Sequence, residues 1–168
     1  MTISLRTSSI PLIDYFNASR DKVKFVALVS PTCGPCLRGA RAVLTELARG
    51  KYHTNIDIII IWIDMLEGDN ETTAGNSTKT FQDERVTQFH DPSRLAGRAI
   101  AESLGANDAI AWDMYLFYDR ESKWEKKPPA PLDWAHQLSD PWANQDHFAW
   151  GDNLPLRLRE IARRLFED

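Results

Sequence analysis

The only two cysteines of the chain are Cys33 and Cys36, and Gly34 and Pro35 lie between them. Thiols at this spacing can close a disulfide with each other, exchange disulfides with another molecule or share a metal ion. One pair is too few for the cross-linked framework of a small secreted protein, and it supplies too few ligands for a closed zinc site. The spacing therefore predicts a redox-active dithiol.

The position of the pair along the chain predicts different tasks for the two thiols. Both cysteines follow a strand pattern and begin a helical one. At the first turn of a helix, free N–H groups and the helix dipole lower the pKa of a cysteine from about 8.5 to roughly 3.5–7.5. We therefore expect Cys33 to be the attacking thiolate and Cys36, one turn further in, to be the resolving thiol.

Apolar runs on both sides of the dithiol predict the elements that position it. The run from Val23 to Val29 is rich in β-branched residues and indicates a strand that is buried on both faces. Apolar residues then repeat at helical spacing from Leu37 to Leu47, and Gly50 can end that helix. A second apolar run, Ile56–Met65, predicts another central strand. Together these elements form a βαβ unit with the dithiol at its strand-to-helix junction.

The segment that follows, 66–88, is polar and shows neither helical nor strand periodicity. Structureless segments longer than about 12–15 residues are uncommon unless they are mobile or functional. We interpret 66–88 as a loop insertion that can act as a lid.

Three further elements are expected beyond that insertion. Asp91 and Pro92 are residue types that begin a helix, and an apolar stripe follows them. The aromatic-rich run Asp113–Tyr118 predicts a strand, and Lys123–Glu125 is interpreted as its return strand across a turn. The resulting order after the first strand is α-β-α-β-β.

The remaining parts of the chain predict two helices and one irregular segment. Ile10–Phe16 and 154–165 each place apolar residues on one helical face. Between them, 125–152 is rich in tryptophan and proline, and we expect its rings to pack it onto the rest of the protein rather than to line a groove. At 168 residues, the chain 1–168 is expected to form one domain.

The tetrapeptide Cys33-Gly34-Pro35-Cys36 and the order of elements resemble the thioredoxin superfamily. The segments 89–92 and 111–118 are also similar to those of a poorly characterised bacterial thioredoxin-like group. The resemblance implies an α/β fold of three layers, with a central mixed sheet flanked by helices. It also implies thiol-disulfide exchange with a protein or small-molecule disulfide, no bound cofactor, and an external thiol reductant or reductase as electron donor.

Several positions depart from the superfamily pattern. Thioredoxins usually have an aromatic residue before the first cysteine and a buried acid on the preceding strand, where this chain has Thr32 and Ala27. They also have a cis-proline before the third central strand, whereas this chain has Trp112 and Asp113 there. The resemblance thus leaves the proton acceptor for Cys36 unassigned. We expect Thr32, Trp112 and Asp113 to line a substrate groove or relay protons, with Asp113 the favoured relay.

Composition argues against several other classes of protein. The net charge is -4 and like charges do not cluster, so neither nucleic acid nor an anionic membrane is an expected partner. No signal peptide or membrane span is recognisable, and we expect a soluble, cytoplasmic protein. The histidines match no metal motif, and no metal site is predicted from spacing alone.

Two other functions remain open at this level. The dithiol can capture a soft metal ion or a metalloid instead of turning over disulfides. Alternatively, the protein can be a redox-silent adaptor that binds a partner through its tryptophan-rich face.

Overall fold

The sheet at the centre of the computed structural model, which describes residues 2–167, explains how the dithiol is held. It has six strands in the order β1-β4-β3-β2-β5-β6. The pairs β1–β4, β4–β3 and β3–β2 are parallel. The pairs β2–β5 and β5–β6 are antiparallel. The strands are β1 Thr2–Ser4, β2 Val23–Val29, β3 Ile56–Ile63, β4 Val86–Asp91, β5 Met114–Tyr118 and β6 Asp133–His136.

Helices cover both faces of this sheet. They are α1 Ile10–Ala18, α2 Gly34–Val43, α3 Glu71–Thr80, α4 Leu95–Ser103 and α5 Asn153–Glu167. Side chains of α2, α3 and α5 join one buried cluster, and side chains of α1 and α4 join the other. The predicted three-layer α/β fold with a mixed central sheet is therefore confirmed.

The two central strands are buried on both faces because their sequences are almost continuously apolar. All seven residues of β2 are buried, and alternate side chains enter opposite clusters. The predicted bounds of β2 are confirmed, and those of β3 are confirmed except that the strand ends at Ile63. The carboxyl end of β2 leads straight into the loop that carries the dithiol.

The interpretation of 66–88 as a structureless insertion is wrong in one respect. The segment contains α3 and the start of β4, which together add a further crossover unit beside β3. A capping box between Asn70 and Thr73 begins α3, but the helix buries only Ala74, Ser77 and Thr78. Because these buried side chains are small and mostly polar, the helix has no apolar stripe for a sequence pattern to reveal.

The start of the fourth helix also differs from the prediction. Asp91 is the last residue of β4, and α4 begins at Leu95 after Arg94, whose φ is 59°. The Asp91 carboxylate nevertheless accepts hydrogen bonds from the backbone N–H groups of Leu95, Ala96 and Gly97. Asp91 therefore caps the helix from the end of a strand.

The predicted return strand at Lys123–Glu125 is wrong. The strand that pairs with β5 is β6, which lies inside the tryptophan-rich segment and starts after Pro131. Proline lacks a backbone N–H to donate to a strand ladder, so the run 128–131, which contains three prolines, delays pairing until Asp133. The short strand β1, which pairs with β4, was not predicted.

The tryptophans of the irregular segment mostly anchor it. Trp134 is buried and Trp142 is half-buried against the same apolar cluster, whereas Trp150 is 50% exposed. Among residues 2–167, no helix is both long and apolar enough to cross a bilayer.

Candidate active site

The dithiol lies where β2 gives way to α2. Cys33 is the N-cap residue of α2, and its Sγ accepts a hydrogen bond of 3.3 Å from the backbone N–H of Cys36. Cys33 is 9% exposed and Cys36 is fully buried. A disulfide in another molecule can therefore reach only the first of the two sulfurs.

The surroundings of the two thiols shift their pKa values in opposite directions. Hydrogen bonds from the side chain and the backbone N–H of Cys36 lower the pKa of Cys33, although burial and the charges of Asp113 and Asp69 oppose the shift. Burial, the hydrogen bond to Cys33 and the Asp113 charge raise the pKa of Cys36. Cys33 is thus the thiol that ionises first, and Cys36 keeps its proton.

Asp113 lies beside the dithiol, although it comes from a different part of the chain. It immediately precedes β5, is 3% exposed and has a φ of 50°. Ligand atoms of Cys33, Cys36 and Asp113 all lie within 4.8 Å of one another. Burial raises the pKa of Asp113 above its usual 3.8, although hydrogen bonds from Tyr115, Gln137 and Cys36 oppose that shift. The structure thus places beside the thiols the acidic residue that the sequence favoured.

Tyr115 fixes the Asp113 carboxylate by a hydrogen bond. Its hydroxyl donates a hydrogen bond of 2.7 Å to Asp113 Oδ1. The residue is fully buried and pairs with Ala27 of β2, the position where thioredoxins usually carry an acid. The hydroxyl fits under α2 only because Gly39 has no side chain, since a Cβ there would lie 1.8 Å from the Tyr115 oxygen.

Gln137 is a site residue that the sequence analysis missed. Its Nε2 donates to Asp113 Oδ1 at 2.9 Å and to the backbone oxygen of Pro35 at 3.1 Å. Its Oε1 accepts a hydrogen bond from the Gly151 N–H. Gln137 follows β6 directly, and no motif or periodicity distinguishes it from other glutamines of the chain. Its importance comes from the pairing of β6 with β5, which places it opposite Asp113.

Thr32, which directly precedes Cys33, is exposed, and its side chain is hydrogen-bonded to Asp69. The Thr32 hydroxyl donates to Asp69 Oδ1 at 2.6 Å, and the Ser30 hydroxyl donates to Oδ2 at 2.7 Å. Oδ2 also accepts hydrogen bonds from the backbone N–H groups of Met65 and Leu66. Asp69, which sequence reasoning also missed, thus ties the loop after β3 to the loop before Cys33.

The other predicted site residues are half-buried or exposed around the dithiol. Trp112 is half-buried and packs against the apolar cluster that contains both cysteines. Gly34 is exposed, and Pro35 is half-buried with its carbonyl bound by Gln137. His90 pairs with Asp64 and His147 stacks on Trp134, outside the dithiol. His136 binds a backbone oxygen and lies close enough to Asp113 for its charge to lower the pKa of that carboxyl.

We expect the Asp69→Asn substitution to loosen the dithiol loop by a pH-dependent amount. Burial alone would raise the pKa of Asp69, but hydrogen bonds from Leu66, Thr32 and Ser30 outweigh it and lower the pKa below 3.8. Asparagine keeps one acceptor oxygen but loses the charge, and the site is partly exposed. We expect the free energy of unfolding at pH 7 to fall by about 1–2 kcal/mol.

The pH dependence of that difference follows from the lowered pKa. Stabilisation by the ionised Asp69 is complete above the pKa of the unfolded chain and is lost as the pH falls through the folded value. Urea unfolding of wild type and Asp69→Asn at several pH values from 7 to 2 should therefore show the difference shrinking below about pH 4. Asp21→Asn, at an exposed carboxylate, is the control. A difference that does not change with pH would contradict the assignment.

Similarity to solved structures is confined to the fold. No protein-family model and no curated protein sequence matches the chain. The thioredoxin domain of a thiol-disulfide oxidoreductase from Bacteroides vulgatus superposes with a TM-score of 0.50 at 13% identity, covering 86% of this chain and 82% of that one. A thioredoxin-like protein solved in its oxidised form in solution gives a TM-score of 0.48 at 12% identity, covering 86% and 80%. With its Cys33-Gly34-Pro35-Cys36 sequence at the end of β2, the chain has a thioredoxin-like fold.

Proposed function

We propose that the protein is a thiol-disulfide oxidoreductase that works through Cys33 and Cys36. The observation that supports this proposal is the placement of Cys33 Sγ at the N-cap of α2, where it accepts a hydrogen bond from the backbone N–H of the buried Cys36. One thiol is reachable and has a lowered pKa, while the second is adjacent and protected. This asymmetry is what two successive sulfur displacements need.

The reaction begins at the Cys33 thiolate. It attacks one sulfur of the substrate disulfide, a bond forms between Cys33 and that sulfur, and the other substrate sulfur leaves as a thiolate. Cys36 then gives up its proton, and its sulfur attacks Cys33 Sγ. The mixed disulfide breaks, the second substrate thiolate leaves, and Cys33 and Cys36 remain joined. Two electrons have passed from the dithiol to the substrate.

Asp113 is the acceptor we propose for the Cys36 proton. It is a buried carboxylate with an oxygen within 4.8 Å of the Cys36 sulfur, and its raised pKa makes it a stronger base than an ordinary aspartate. Asp113 would thus replace the buried acid that thioredoxins usually have on the preceding strand, because this chain has Ala27 at that position. We propose that the substrate contacts Thr32, which directly precedes Cys33, and Trp112, which packs against the cluster that contains Cys33.

Turnover needs an external source of electrons. We propose that a thiol reductant or a reductase returns the oxidised pair to the dithiol, and that the substrate is a protein or small-molecule disulfide. A cytoplasmic location fits this direction, because that compartment holds thiols reduced.

A redox titration tests the proposal. We expect wild-type protein equilibrated in thiol buffers to show a reversible two-electron transition between roughly -300 and -100 mV, and the Cys33→Ser and Cys36→Ser variants to show none. Cys33→Ser should also abolish reduction of a model disulfide. If the wild-type protein shows no reversible transition, the proposed function is wrong.

A further inference from the structure

We propose that the reduced dithiol and Asp113 form a zinc site, in which Cys33 Sγ, Cys36 Sγ and one Asp113 carboxylate oxygen are the protein ligands. The site itself does not require disulfide turnover. Its consequence for redox chemistry rests on the proposed function.

The three side chains have the chemistry and spacing for such a site. All three are buried, and their ligand atoms lie within 4.8 Å of one another. Ligands of tetrahedral zinc lie about 2.3 Å (sulfur) and 2.0–2.2 Å (carboxylate oxygen) from the metal, so small rotations of the side chains would bring these atoms to a shared ion. Two thiolates favour Zn²⁺ over the hard cations Mg²⁺ and Ca²⁺. Of the residues that the structure describes, these three form the one such group.

The carboxylate is already oriented by neighbours that do not compete for the metal. Tyr115 and Gln137 both donate to Oδ1, and neither of them donates to Oδ2. In metal sites, hydrogen bonds of this kind fix the ligating carboxylate in one orientation. Tyr115 is itself held beneath Gly39, so the orientation belongs to the packed interior rather than to a mobile loop.

The charge of the cluster also favours a cation. When both thiols and Asp113 are ionised, three negative charges lie close together, and within residues 2–167 no lysine or arginine forms an ion pair with Asp113. A divalent ion would offset most of this repulsion. Cys33 is 9% exposed whereas Cys36 is fully buried, so a water or an incoming thiol can reach the fourth position beside the Cys33 sulfur.

Zinc and the disulfide exclude each other, because each uses both sulfurs. Metal binding would protect the dithiol from oxidation, and it would stabilise the reduced form alone. Once zinc exceeds its dissociation constant, each further tenfold increase in free zinc is expected to raise the redox midpoint by about 30 mV.

The test is a metal titration of the reduced protein with Zn²⁺ and with Co²⁺ as a spectroscopic probe. We expect wild type to bind one equivalent of Zn²⁺ by equilibrium dialysis. Its Co²⁺ form should show thiolate-to-metal charge-transfer absorption and the visible bands of tetrahedral Co²⁺. Oxidised protein, Cys33→Ser and Cys36→Ser should give neither signal.

Two variants separate the three-ligand site from capture by the cysteines alone. Tyr115→Phe removes one hydrogen bond from the carboxylate and is expected to weaken Zn²⁺ binding roughly 10- to 100-fold. Asp113→Asn should weaken it more, while Asp21→Asn, which changes an exposed carboxylate outside the cluster, should leave it within a factor of about three of wild type.

The outcomes distinguish this proposal from the proposed function. If reduced wild-type protein binds no Zn²⁺, or Asp113→Asn binds as tightly as wild type, the three-ligand site is wrong even when the redox transition is reversible. Metal binding with the expected variant order supports the site even in a protein that shows no redox transition.

Discussion

The Asp113→Asn variant should attack a disulfide as readily as wild type but release the product roughly 100-fold or more slowly. The magnitude is that of a lost general base, which is typically worth 10²–10⁴ in rate. An Asp113 carboxylate oxygen lies within 4.8 Å of the Cys36 sulfur, so the carboxylate can take the proton as the sulfur attacks. Without it, the Cys36 proton must leave to solvent from a fully buried thiol.

Asparagine is the informative substitution because it changes the charge and little else. Asp113 has a φ of 50°, and asparagine adopts this left-handed conformation more readily than most residues. Its Oδ1 can still accept the hydrogen bonds from Tyr115 and Gln137. An alanine at this position would add backbone strain and remove the acceptor of both hydrogen bonds.

An aromatic disulfide such as 5,5′-dithiobis(2-nitrobenzoate) separates the two steps. Attack by Cys33 releases the first coloured thiolate and attack by Cys36 releases the second, so stopped-flow absorbance records both rates. The Asp113 charge raises the pKa of Cys33, and its loss should therefore make the first step equal or faster below neutral pH. The second step should slow and should rise about tenfold per pH unit, because it then depends on free Cys36 thiolate.

Asp69→Asn is the matched control for this experiment. The Asp69 charge also raises the pKa of Cys33, but Asp69 is not among the largest causes of the raised pKa of Cys36. We expect it to affect the first step as Asp113→Asn does and to leave the second step unchanged. If the two variants release the second thiolate at equal rates, Asp113 is not the proton acceptor.

The central part of the fold could be predicted because apolar periodicity records burial. Strands β2 and β3 lie between two layers of helices, so nearly every residue in them is apolar. The helix that carries the dithiol has one apolar face and was predicted for the same reason. By contrast, α3 and β4 bury polar groups such as Ser77 and Gln88, whose hydrogen bonds replace apolar contacts and leave no pattern.

Site residues could likewise be predicted where the local sequence sets their positions, but not where distant parts of the chain meet. Cys33 and Cys36 could be identified from spacing alone, since their relation is set within one helical turn. Gln137 and Asp69 reach the dithiol across the sheet and from the loop after β3, so their roles depend on pairing and loop paths that no local pattern encodes. Asp113 was accessible only through its place before a strand in a recognised fold.

Gly39→Ala should destabilise the protein although it replaces glycine in the middle of a helix. Helix propensity alone favours alanine by about 1 kcal/mol. The added Cβ, however, would lie 1.8 Å from the Tyr115 oxygen and 2.6 Å from Cζ, both far inside van der Waals contact. Tyr115 is fully buried in β5, so it can move away only by disturbing the packing around it. We expect a net loss of about 1–3 kcal/mol in the free energy of unfolding.

Gly75→Ala in α3 is the matched control, because nothing lies within 4 Å of a Cβ built there. It should stabilise the protein by about 0.5–1 kcal/mol through helix propensity. Urea unfolding of both variants therefore gives shifts of opposite sign. If Gly39→Ala is as stable as Gly75→Ala, the close contact between α2 and Tyr115 does not exist in solution.

A double-mutant cycle with Tyr115→Phe then locates the strain. The phenylalanine lacks the oxygen that the new methyl group meets first, but it keeps the ring carbon at 2.6 Å. Gly39→Ala should therefore cost less in the Tyr115→Phe background, with a coupling of about 0.5 kcal/mol or more. Additive effects would contradict a direct contact. Because the displaced tyrosine also loses its hydrogen bond to Asp113, Gly39→Ala should slow the Cys36-dependent release step as well, which links the packing of α2 to proton transfer at the dithiol.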